Sequence, residues 1–87
     1  MKPNTPTRKA SMTFMRSVYQ ELQCAREEHA PLYSRHEAYA VILEELEEFK
    51  ELVFSRRPRA SAMHDELVQV AAMCWRTVLD LKLQPTE

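Results

Sequence analysis

The chain has 87 residues and contains no glycine. Glycine-rich phosphate loops and dinucleotide-binding fingerprints need a backbone conformation that only glycine supplies, so both kinds of nucleotide site are excluded. Tight β-hairpins with primed turns also depend on glycine, and the composition therefore disfavours them. The absence of glycine therefore favours a fold built from helices.

Apolar residues recur with the 3.6-residue period of an amphipathic helix in three long segments. No segment alternates with the two-residue period of a strand. Ser34 and Glu37 form an S-x-x-E capping box at the start of the second segment. We therefore predict an all-α fold with a single domain over residues 8–84, preceded by a flexible tail over residues 1–7. The predicted helices cover residues 7–29, residues 34–54, and a segment from 58–61 to about 83.

Three amphipathic helices in a chain of this length give a thin core, which supplies only a few kcal/mol of stability. The apolar arcs of the second and third helices are nevertheless wide. We therefore expect the helical bundle to be completed by oligomerisation, as a homodimer or homotetramer.

The overall charge excludes some partners. The 12 Lys and Arg residues nearly balance the 13 Asp and Glu residues, whereas nucleic-acid-binding proteins are usually basic. No uncharged run approaches the roughly 20 residues that cross a bilayer, and residues 1–11 lack the apolar core of a signal peptide. Two isolated cysteines, Cys24 and Cys74, are typical of reduced thiols. We expect a cytoplasmic protein with neither a nucleic-acid nor a membrane partner.

Acidic residues are concentrated in the second helix, where residues 37–54 contain six glutamates and one lysine. At 100° per residue, Glu45 falls inside the apolar arc of that helix and Glu48 at its border. Glu66 lies within the apolar stripe of the third helix, and Gln69 follows one turn later. If these two helices pack antiparallel, the four side chains converge.

Three carboxylates and an amide oxygen are ligands that suit Mg²⁺ or Mn²⁺. A carboxylate in an apolar stripe is costly unless it is paired or binds a cation. The pattern therefore leaves two interpretations open, a metal site or ion pairing within the bundle. The candidate cations for such pairing are Arg16, Arg26 and Arg76.

The acidic segment Glu44-Glu45-Leu46-Glu47-Glu48, followed after 17 residues by Glu66-Leu-Val-Gln69, resembles a pair of known motifs. These are the E-E-x-x-E and E-x-x-D motifs of the all-α nucleoside triphosphate pyrophosphohydrolases, the MazG-like superfamily. The resemblance covers roughly residues 36–82, about half of the chain. It departs from the family at Gln69, where the motif has aspartate.

The resemblance implies hydrolysis of a nucleoside triphosphate or its deoxy form to the monophosphate and pyrophosphate. It implies Mg²⁺ or Mn²⁺ as cofactor, with Glu45, Glu48, Glu66 and Gln69 as ligands. Glu44 would act as an outer-sphere residue or as the base for the attacking water. The candidate contacts for the triphosphate are Arg76, Lys50 and the loop Arg56-Arg57-Arg59.

A second interpretation belongs to a different class. The chain would be a non-catalytic helical module that uses the same scaffold for self-association or partner binding. Gln69 favours this interpretation, because a neutral amide in place of aspartate removes one negative charge from the site and weakens Mg²⁺ binding.

Overall fold

The computed structural model describes residues 5–85 and confirms an all-α architecture, with no strand in that range. The three helices are α1 (Thr5–Glu28), α2 (Arg35–Val53) and α3 (Ala60–Asp80). The first helix begins at Thr5, two residues before its predicted start, and residues 1–4 of the predicted tail lie outside the described range. Helix α3 ends at Asp80, three residues earlier than predicted. None of the described helices is both long and apolar enough to cross a membrane.

The second helix begins where the capping pattern predicts. The Oγ atom of Ser34 accepts a hydrogen bond of 3.0 Å from the backbone N–H of Glu37. The Glu37 carboxylate accepts a bond of 3.0 Å from the N–H of Tyr33, whereas a standard capping box uses the N–H of the cap residue itself. Two backbone donors at this helix end are thus satisfied by side chains.

The end of α3 shows how the chain closes a helix without glycine. Lys82 has φ = 56°, in the left-handed region. The N–H of Leu83 donates to the carbonyl of Val78 at 3.0 Å, and the N–H of Lys82 donates to the carbonyl of Leu79 at 3.3 Å. These two hydrogen bonds form a Schellman motif, in which glycine usually occupies the left-handed position that Lys82 takes here. A lysine with a left-handed backbone costs about 1 kcal/mol.

Helix α3 lies between the other two helices, and within residues 5–85 α1 and α2 do not pack against each other. Helix α1 runs parallel to α3, because Phe14 contacts His64 and, further along both helices, Tyr19 contacts Trp75. Helix α2 runs antiparallel to α3, since the backbone N–H of Leu32, just before α2, donates a hydrogen bond to the carboxylate of Asp80 at the end of α3. The antiparallel packing of the second and third helices is therefore confirmed.

The core is small because each outer helix has only one neighbour. The buried apolar side chains are Val18, Leu22, Ala25, Leu32, Ala38, Val68, Ala72 and Met73. The radius of gyration is 14.7 Å, against about 12 Å for a compact chain of this length. Met15, Leu67, Cys74 and Val78 belong to the apolar faces expected from periodicity, yet they are exposed. Periodicity identifies an apolar face but not whether a neighbouring helix covers it.

Candidate metal centre and adjoining cleft

Three carboxylates converge where α2 packs on α3. One carboxylate oxygen each from Glu45, Glu48 and Glu66 lies within 4.8 Å of the other two. Glu45 and Glu48 are three residues apart and therefore share one side of α2, while Glu66 reaches them from α3. Glu45 and Glu66 are half-buried and Glu48 is exposed. The structure thus brings together the three glutamates that the sequence selects.

The cluster carries an unfavourable concentration of negative charge. Burial, followed by repulsion from Glu48 and Glu66, raises the pKa of Glu45 from 4.5 to about 7. Burial and the neighbouring Glu48 also raise the pKa of Glu66. The Oε2 atom of Glu66 is buried without a hydrogen-bond partner. Carboxylates held this close repel one another, and either a bound proton or a bound cation relieves that repulsion.

The arginines that could have neutralised this cluster bind elsewhere. Arg26 and Arg76 both form ion pairs with Asp80, at 3.7 and 3.4 Å. In the part of the chain that the structure describes, no ion pair joins a cation to Glu45 or Glu66. The alternative in which Arg26 or Arg76 pairs with these glutamates is therefore wrong.

Asp80 and Arg76 instead connect the α1–α2 loop to α3. The Asp80 side chain is only 2% exposed, and its Oδ2 accepts a bond of 2.9 Å from the N–H of Leu32. The Nη2 atom of Arg76 donates to the carbonyl of Ala30 at 2.9 Å. Sequence reasoning missed this network, although the four-residue spacing of Arg76 and Asp80 is a signal for a helical ion pair. The loop carbonyl and amide that complete it are visible only in three dimensions.

An open cleft of about 550 Å³ adjoins the cluster. It lies between α1 and α2, and α3 forms its floor. A cleft of this size is within the range of small-molecule sites, roughly 300–1,000 Å³. Of the predicted site residues, Glu44, Glu45, Gln69 and Arg76 line it, whereas Glu48 and Glu66 are not among its lining residues. The further polar lining residues include Glu21, Glu28, His29 and Glu37.

The cleft is strongly acidic, and its one arginine is already bound. Five glutamates line it, against Arg76 and His29. Arg76 is 6% exposed, and its guanidinium is held by Asp80 and by the carbonyl of Ala30 in the loop. Lys50 does not join the cleft, because it lines a separate groove on the outer surface of α2 with Leu46 and Phe54. Of the predicted cations for a triphosphate, Arg76 therefore lines the cleft and Lys50 does not.

Comparison with models of protein families, with curated proteins and with solved structures found no match to this chain. The MazG-like resemblance therefore rests on the residues Glu44–Glu48 and Glu66–Gln69 alone. The fold and the convergence of three carboxylates stand independently of it, since they are features of this structure.

Proposed function

We propose that this protein is a Mg²⁺- or Mn²⁺-dependent hydrolase that converts a nucleoside triphosphate, or its deoxy form, to the monophosphate and pyrophosphate. The observation that carries the proposal is the convergence of Glu45, Glu48 and Glu66, with a buried, unpaired Glu66 oxygen, beside a cleft of ligand size. The motif resemblance supplies the reaction class.

The donor set fits a hard divalent cation. Carboxylate oxygens are the ligands that Mg²⁺ and Mn²⁺ prefer, and Gln69, which lines the cleft together with Glu45, would offer a further amide oxygen. A bound ion would offset both the burial and the repulsion from Glu48 and Glu66 that raise the pKa of Glu45. It would supply charge neutralisation for the phosphate oxygens and for the water that attacks them.

The protein groups have separate roles in this reaction. The water oxygen forms a bond to the α-phosphorus, the bond from that phosphorus to the bridging oxygen breaks, and pyrophosphate leaves with the bonding electrons. Glu44 is exposed at the cleft next to the cluster and receives the proton of the water. Arg76 lines the cleft but is buried and held by Asp80 and the carbonyl of Ala30, so it would contact a phosphate only by leaving one of these partners.

A second function is favoured by the charge of the cleft. Five glutamates repel a triphosphate, and the described residues bring no free lysine or arginine to oppose them. Together with the neutral Gln69, this supports a non-catalytic helical module that binds another protein chain. The hydrolase predicts turnover that depends on Glu45, whereas the interaction module predicts no turnover at all.

The test is pyrophosphate release from a panel of canonical and modified nucleoside triphosphates, in Mg²⁺ and in Mn²⁺. The informative variants are Glu45→Ala, which removes a proposed ligand, and Gln69→Asp, which restores the charge of the motif. Glu51→Ala is the matched control, because Glu51 is an exposed glutamate of α2 outside the cluster and the cleft.

We expect turnover by the wild type and the control, a loss of at least about a hundredfold in Glu45→Ala, and faster turnover in Gln69→Asp. A silent wild type that Gln69→Asp activates would identify the missing charge as the defect of a degenerate enzyme. Silence in every variant, with both metals, would refute the hydrolase and favour the interaction module.

A further inference from the structure

The arginine that lines the cleft is engaged on every side within the protein. The Nη2 atom of Arg76 donates to the carbonyl of Ala30 at 2.9 Å, and its Nη1 atom contacts the sulfur of Met73 at 3.8 Å. Its Nε atom lies 3.4 Å from the Oδ2 atom of Asp80. Arg76 therefore lines the cleft but spends its contacts on the α1–α2 loop and on α3.

The contact between Arg76 and Asp80 is an ion pair without a hydrogen bond. Within residues 5–85 the buried Nε–H of Arg76 has no hydrogen-bond partner. The two oxygens of Asp80 have other neighbours, since Oδ2 accepts the N–H of Leu32 at 2.9 Å and Oδ1 lies 3.7 Å from the Nε of Arg26. A buried donor without an acceptor is costly, so Arg76 is held by charge and left unsatisfied at one N–H.

One carboxylate also serves two arginines. The side chain of Arg26 is 49% exposed, and water therefore screens its charge. The side chain of Arg76 is only 7% exposed, and it shares the single negative charge of Asp80 with Arg26. A further anion beside Arg76 would supply both an acceptor for the free N–H and the charge that Asp80 divides.

We propose that Asp80 is a positioning residue, which holds Arg76 against the α1–α2 loop, and that a phosphate group in the cleft takes Arg76 from the carbonyl of Ala30. This inference rests on the proposed function, from which it takes the phosphate as occupant of the cleft. An anionic oxygen is a stronger acceptor for a guanidinium than a neutral carbonyl is. Asp80 opposes the transfer by its charge and thereby lowers the affinity of the cleft for phosphate.

The same transfer changes the wall of the cleft. The carbonyl of Ala30 and the N–H of Leu32 both bind the α1–α2 loop to α3, and the loop residues also line the cleft. In the described part of the chain α1 and α2 do not pack against each other, so this loop fixes the wall between them. Loss of the Arg76 bond leaves the loop with the Leu32 bond to Asp80, and phosphate binding therefore loosens the loop.

The test is calorimetric titration of the whole chain with inorganic pyrophosphate in the presence of Mg²⁺. Asp80→Asn keeps the shape of the side chain and an acceptor for the Leu32 N–H, but removes the charge that holds Arg76. We expect it to lower the Kd for pyrophosphate about tenfold. Arg76→Gln should change the wild-type Kd little, because what Arg76 gives the phosphate is offset by the contacts it leaves. In the Asp80→Asn background, Arg76→Gln should abolish the gain.

A matched control separates this effect from a general change of charge. Glu28→Gln also removes one negative charge beside the cleft, from an exposed residue that lines it and does not hold Arg76. It should lower the Kd less than Asp80→Asn does, and its gain should survive Arg76→Gln.

A second measurement on the wild type needs no substitution and decides the matter if Asp80→Asn fails to fold. Hydrogen exchange of the Leu32 amide reports how firmly the loop is held, because that amide is bonded to Asp80. We expect it to exchange faster with pyrophosphate bound. The amide of Ala72, which is fully buried in the middle of α3, should exchange at an unchanged rate.

Four results would overturn the inference. These are an Asp80→Asn gain no larger than that of Glu28→Gln, a gain that survives Arg76→Gln, unchanged Leu32 exchange with pyrophosphate bound, and no pyrophosphate binding by any variant. The outcome is distinct from that of the hydrolase. A tenfold gain in a chain that releases no pyrophosphate from any nucleotide would support the inference and refute the hydrolase, whereas turnover with equal Kd in Asp80→Asn and wild type would do the reverse.

Discussion

Replacement of Glu45 by glutamine should make the protein more stable at alkaline pH and leave its stability unchanged in acid. Because the pKa of Glu45 is about 7 in the folded protein and 4.5 ordinarily, the folded state binds the proton more tightly than the unfolded state. Stability from this group is therefore fully present below pH 4.5 and is lost as the pH rises through about 7.

The pKa change corresponds to about 3 kcal/mol, and the partial exposure of Glu45 reduces this to about 1–2 kcal/mol. Urea denaturation between pH 4.5 and pH 8.5, without divalent ions and at fixed protein concentration, measures the difference in unfolding free energy between Glu45→Gln and wild type. We expect a difference near zero at the acid end that grows to that value at the alkaline end.

The matched control is Glu51→Gln, which replaces an exposed glutamate outside the cluster; the Glu45→Gln difference at pH 8.5 should exceed the difference measured for this control. A Glu45→Gln difference that is equally large at pH 4.5 and pH 8.5 would refute the reasoning. It would mean that the substitution acts through packing and not through the charge of the cluster.

Three further outcomes follow from other parts of the structure. Millimolar Mg²⁺ or Mn²⁺ should raise the Tm of the wild type at pH 8, and not that of Glu66→Gln; equal shifts in both would contradict a metal site. Asp80→Ala should cost about 3–5 kcal/mol in urea denaturation, because it leaves Arg76 buried without its carboxylate; a cost below about 1 kcal/mol would mean that the network is not structural. Lys82→Gly should stabilise the chain by about 0.5–1 kcal/mol, since it relieves the left-handed backbone, and Lys82→Ala should give no such gain.

The acidity of the cleft bears directly on the proposed chemistry. A triphosphate and five glutamates repel each other, so a nucleotide enters this cleft only with its charge neutralised. Under the proposed function, divalent ions bound at the carboxylate cluster would supply that neutralisation. A rise in Tm on addition of Mg²⁺ or Mn²⁺ would therefore test the proposed metal site before any substrate is known.

Much of the fold was predictable from local signals. The helix count follows from apolar periodicity, and Ser34 marks the start of α2 through its cap. The end of α3 was less predictable, because glycine normally marks a left-handed cap and here Lys82 takes that position. The convergence of Glu45, Glu48 and Glu66 could be anticipated because a carboxylate within an apolar stripe is a local anomaly.

The sequence by itself determined three amphipathic helices and three glutamates placed on their packing faces, because spacing along a helix fixes which residues share a side. Only the tertiary structure decided where the candidate cations bind. Arg26 and Arg76 form ion pairs with Asp80, and Lys50 lines a separate groove on α2. The tertiary structure also decided that α3 is central and that apolar residues such as Met15 and Leu67 are uncovered. Ion pairing and coverage depend on how helices far apart in the chain are arranged, and periodicity within one helix carries no information about that arrangement.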